Sequence, residues 1–79
     1  AMATTIEVLE KAQQLAMEAR IRAGMMVSDY RRCNVARLRR AKVAAERCAR
    51  LAADLASTAF QATDLLDAEL RKARNNCEE

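Results

Sequence analysis

Residues 23–29 read Ala-Gly-Met-Met-Val-Ser-Asp, and Gly24 is the only glycine in a 79-residue chain with no proline. Glycine and proline are the residues that most readily end a helix. Upstream of this stretch, Leu9, Ala12, Ala16, Ala19, Ala23 and Met26 step by three and four, with Val8 and Leu15 widening the stripe. That spacing is the seam of a coiled-coil-like helix. Continued past Met26, the same phase meets Tyr30, Cys33, Arg37 and Arg40, and the apolar pattern fails. A second seam starts at Val27 and runs through Arg31, Asn34, Leu38, Ala41, Ala45, Cys48, Ala52, Leu55, Ala59, Ala62, Leu66 and Glu69 to Ala73.

The phase slip has two physical explanations. Gly24 can end the first helix in a left-handed cap, with Ser28 or Asp29 capping the next. Alternatively the helix continues through a local insertion in the repeat. The break is favoured, because glycine inside a helix costs about 1 kcal/mol relative to alanine. The expected organisation is therefore a cloning remnant at residues 1–3, helix one over 4–23, a turn at 24–28, a long helix two over 29–75 and a frayed tail at 76–79. Thr4 and Glu7 have the spacing of a capping box at the first helix start. Thr58 and Gln61 repeat that spacing, which keeps a three-helix bundle as an alternative beside one long coiled-coil helix.

The fold class expected is all-α: a helical hairpin with alanine-rich, coiled-coil-like packing that dimerises into a helical bundle. A chain this short buries only about 60–65% of its unfolded surface and needs help to be stable. The flanks of the long seam are mostly small or apolar from Ala44 to Leu70, wider than one partner helix covers. The expected oligomer interface is Leu38, Ala41, Ala45, Cys48, Leu51, Ala52, Leu55, Ala59, Ala62, Leu65 and Leu66.

Charge is unevenly spread. The net charge is +3, but residues 28–50 sum to +6 and residues 51–79 to −3. Two copies paired antiparallel about Leu55 would set the basic segment beside the acidic one. A parallel pair would stack like charges. Arg31, Arg32, Arg39, Arg40, Arg47 and Arg50 share one side of the helix and could meet phosphates or an acidic partner. Against nucleic acid, the stripe has only Tyr30 near it and no stacking platform.

Tyr30-Arg31 followed by Arg37-Leu38-Arg39-Arg40 resembles the arginine-rich helical segment in the RNA-binding domain of the large helical protein subunit of the signal recognition particle. That resemblance implies RNA contact through these arginines.

Chemistry is poorly represented. Histidine is absent, and Cys33, Cys48 and Cys77 are an odd set without metal-ligand or disulfide spacing. They read as reduced thiols of an intracellular protein, cytoplasmic or nuclear. Asp64 and Asp67 form an i, i+3 carboxylate pair with nothing nearby to tune them for acid–base work. No catalytic, cofactor or metal residues are expected, and no run of about 18 apolar residues is present. The expected function is a non-enzymatic helical association module, part of a larger scaffold or cytoskeletal protein. Its expected partner is itself or another helical protein. The alternative is an RNA- or DNA-binding helical domain using the basic stripe.

Overall fold

The computed structural model describes residues 4–32 and 34–77, with side chains through residue 75; residues 1–3, Cys33 and 78–79 lie outside the described residues. Two antiparallel helices make the fold, α1 over Thr5–Arg31 and α2 over Val35–Cys77, with no strand among the described residues. The 27 residues of α1 span about 40 Å and the 43 of α2 about 65 Å at 1.5 Å per residue. The long axis of the molecule measures 66 Å. Its radius of gyration is 18.4 Å, against about 12 Å for a compact chain of this length. The molecule is a rod two helices thick.

The start of α1 follows the sequence reading. The Thr4 hydroxyl accepts the Glu7 N–H at 3.3 Å, and the Glu7 carboxylate accepts the Thr4 N–H at 3.4 Å. This reciprocal pair satisfies two donors that a helix start leaves open.

The turn does not lie where the glycine suggested. α1 runs through Gly24 and ends at Arg31, so the chain reverses between Arg31 and Val35 instead of at 24–28. Asn34, which is exposed, supplies the reason. Its side-chain oxygen accepts the Arg37 N–H at 2.9 Å and its carbonyl accepts the Leu38 N–H at 2.9 Å, which is an N-cap on α2. That role was assigned to Ser28 or Asp29, and both belong to α1.

A salt bridge sits beside this turn. Asp29 is buried, 7% exposed, and its carboxylate takes the Arg37 guanidinium at 3.1 Å. Each charge stands at the unfavourable end of its own helix: an anion in the last turn of α1, a cation in the first turn of α2. Pairing across the turn offsets both.

The buried and half-buried positions of α1 are Thr5, Val8, Ala12, Leu15, Ala19, Arg22, Ala23, Met26 and Asp29. Leaving out Ala23, they alternate by three and four with no slip at Gly24. On α2 the series is Arg37, Ala41, Ala44, Cys48, Leu51, Leu55, Thr58, Ala62 and Leu65. α2 passes Ser57 and Thr58 unbroken, with Thr58 turned inward, so there are two helices and not three. At the far end the Thr5 hydroxyl donates to the Glu69 carboxylate. α2 continues beyond Glu69 to Cys77, two residues past its expected end.

The interior is thin. Among the described residues Val8, Ala44 and Ala62 are the buried apolar ones, and no large side chain is completely enclosed. The accessible surface is 6496 Å², about half of the roughly 12,800 Å² that the unfolded chain would expose.

The glycine provides a direct check. A Cβ added at Gly24 would meet nothing within 4 Å, and the residue is ordinary helix. Gly24→Ala should therefore raise unfolding stability by about 0.5–1 kcal/mol, read from the urea midpoint. A loss of stability would mean that α1 ends at the glycine after all.

Candidate interaction faces

The eleven residues expected at an oligomer interface divide into two groups. Ala41, Cys48, Leu51, Leu55, Ala62 and Leu65 are buried or half-buried in the face that meets α1. Cys48 is a free thiol, and its Sγ lies 3.6 Å from the Ala19 carbonyl oxygen as a weak donor across the helix pair. Leu38, Ala45, Ala52, Ala59 and Leu66 remain exposed. Leu38 keeps 44% of its surface and Leu66 42%. The α1–α2 contact uses only part of a face that the sequence showed as one broad apolar stripe.

The two long edges of the hairpin differ in chemistry. Near the turn, one interhelix groove of about 520 Å³ is lined by Met26, Val27 and Tyr30 of α1 with Ala41 and Ala45 of α2, and by Arg31 at its rim. On this side Leu38, Ala45, Ala52, Ala59 and Leu66 repeat every seven residues along α2. Leu9 and Tyr30 of α1 belong to its matching seven-residue row, with Ala16 and Ala23 between them. The edge is small and apolar along most of its length.

The opposite edge is basic. A groove of about 480 Å³ is lined by Arg22 and Met25 of α1 with Arg37, Arg39, Arg40 and Arg47 of α2, above Ala44 and Val43. It runs into a second groove that shares Arg22 and Arg47 and adds Glu18, Ile21, Arg50 and Leu51. Six arginines thus face two carboxylates, Asp29 and Glu18, and Asp29 is already paired with Arg37. Among the described residues that is the one ion pair.

Four of the six stripe residues, Arg39, Arg40, Arg47 and Arg50, line this edge. Arg31 lies at the other groove, and Arg32 is the C-cap residue of α1. Sequence reasoning missed Arg22, which comes from the other helix. It also left Arg37 out of the stripe. The available signal was the spacing of Arg22 and Asp29, which continues the Val8–Leu15 row by sevens.

Phe60, 73% exposed, lies on the outer surface of α2 away from both grooves. Asp64 and Asp67 are exposed helix residues. Among the described residues no three histidine, cysteine, aspartate or glutamate side chains come together as a metal site. No helix among them is long and apolar enough to cross a membrane.

No family model, curated protein or solved structure matches this chain.

The division of the apolar face has a measurable consequence. In dilute protein, Leu51→Ala and Leu55→Ala should each cost about 1–2 kcal/mol of unfolding free energy, because they thin the α1–α2 contact. Leu38→Ala and Leu66→Ala should stay within about 0.5 kcal/mol, as surface changes do. Equal losses from both pairs would mean that the face turned toward α1 has been misassigned.

Proposed function

We propose that this chain is a non-enzymatic helical association module, working by coiled-coil-like packing of its apolar edge against another helical surface. It would serve as one assembly element of a larger scaffold or cytoskeletal protein. The observation that carries this reading is the excess of surface. A compact monomer of 8.8 kDa exposes about 4,800 Å², so the 6496 Å² of the hairpin leaves about 1,700 Å² beyond that. Leu38, Leu66 and Leu70 on α2 and Leu9, Val27 and Tyr30 on α1 are all exposed. Exposed apolar side chains grouped along one edge mark an interaction site.

Self-association is the simplest form of the reading. Sedimentation equilibrium over a concentration series should show mass rising from 8.8 kDa toward twice that value. The double variant Leu38→Ala, Leu66→Ala should weaken the association at least about tenfold while leaving helicity unchanged. Monomer at every concentration, with both wild type and variant, would remove self-association from the reading.

A second reading has its own observation in support. Arg22 of α1 joins five arginines of α2 along one groove with little local neutralisation. Such an edge suits the phosphates of RNA or DNA, read as a charged backbone without base stacking. Oligonucleotide binding by fluorescence anisotropy should then show log K falling with log salt at a slope of about −5 for six contacts. Arg39→Glu, Arg40→Glu and Arg47→Glu together should abolish it. Binding indifferent to salt and to that triple change would make the basic edge a solvated surface.

A further inference from the structure

The geometry points to a second copy of this chain, laid antiparallel against the outward face of α2 with its centre near Ala52, as the occupant of the apolar edge. This rests on the self-association reading and specifies its face and direction.

Once α1 has covered its side of α2, a second regular seam remains on the exposed side. It begins with Val35 and Leu38 and ends with Leu66 and Leu70, all four exposed. Between them stand five exposed alanines from Ala45 to Ala59, again at alternating steps of four and three. Lys42 and Thr63 separate the alanine run from the bulky ends. The order of sizes is therefore nearly the same read in either direction from Ala52: small at the centre, large at both ends.

Charge behaves in the opposite way. Residues 35–50 of α2 carry Arg37, Arg39, Arg40, Lys42, Arg47 and Arg50 against Glu46 alone. Residues 51–70 carry Asp54, Asp64, Asp67 and Glu69 and no basic residue. A face whose size pattern is symmetric and whose charge pattern reverses about the same point complements itself only when one copy is turned end for end. Antiparallel pairing brings Lys42, the basic residue of the seam itself, to the level of the second copy's acidic segment around Asp64. Parallel pairing sets the basic segments side by side, which like charges oppose.

The length of the face suits this occupant. From Val35 to Leu70 the face runs about 53 Å along α2, and its four bulky residues keep between 42% and 66% of their surface. Alanine at the centre lets two α2 helices approach toward the short end of the usual 8–10 Å spacing. The bulky residues at each end then close over the neighbour's ends.

Spin labels test the arrangement. With Cys33→Ser, Cys48→Ala and Cys77→Ser as background, a single label is placed at Ala53→Cys or at Ala68→Cys, both exposed positions, and pulsed dipolar spectroscopy reads the distance between copies. Helicity by circular dichroism and mass by light scattering accompany each sample. Antiparallel pairing about Ala52 predicts under about 20 Å between labels at 53, and about 45–50 Å between labels at 68. Short distances at both positions in a dimer would show parallel pairing and overturn this inference while leaving self-association standing. Long distances at both, in a dimer, would place the contact on another face and overturn it equally. Monomer alone would overturn both. Ala52→Leu in the otherwise native chain gives a second reading free of cysteine changes: close packing predicts at least a tenfold weaker dimer with unchanged helicity, and a tighter dimer would contradict it.

Discussion

The arrangement of this hairpin depends on the salt bridge between Asp29 and Arg37. It ties the last turn of α1 to the first turn of α2, where Asn34 caps the new helix. Paired across the turn, the two charges occupy inward positions that would be costly for either alone. Placing the reversal there gives α1 its full 27 residues and carries its inward row unbroken from Val8 to Asp29. That row in turn selects which side of α2 is covered. The exposed side of α2, with its alanine run and leucine ends, is a consequence of where the chain turns.

Much of this was legible in the sequence. Helical character and the Thr4–Glu7 start follow from spacing and cap chemistry, and so does the shared row of Ala41, Cys48, Leu55 and Ala62, which was expected to meet another copy and in the hairpin meets α1. The turn was not, and the reason is physical. The inward rows contain Arg22, Asp29, Arg37 and Thr58, residues that a hydrophobic pattern excludes. An apolar reading therefore traded the Val8–Leu15 row for the Leu9–Ala16–Ala23 row, lost phase at Met26 and assigned the loss to the nearest glycine. Asp29 becomes compatible with burial only through Arg37, eight residues away across a turn that spacing alone does not locate. The expected interface likewise merged two neighbouring seams, because alanine marks a helix face that packs on another helix without saying which. The basic edge shows the same limit: Arg39, Arg40, Arg47 and Arg50 share a helix and were found together, whereas Arg22 reaches them from α1.

The two edges of the hairpin differ, one small and apolar and the other basic. Its internal contact is built on alanine and half-covered leucine, so it buries little area and supplies modest stability. Association through the apolar edge would add stability by mass action, making folding and assembly depend on one another. The basic edge is left on the opposite side of the rod, open to an anionic partner whether or not the apolar edge is occupied. A short helix that covers only part of a long one is suited to this role. The uncovered length is what another chain can recognise.

Small-angle X-ray scattering across a concentration series tests this account most directly, because it reads mass and length together. The hairpin alone has a Cα radius of gyration of 18.4 Å and a long axis of 66 Å. Side-by-side pairing centred near Ala52 predicts that forward scattering rises to twice the monomer value while the longest dimension increases by less than about a quarter. A mass fixed at 8.8 kDa at every concentration, or a doubled mass with nearly doubled length, would contradict it.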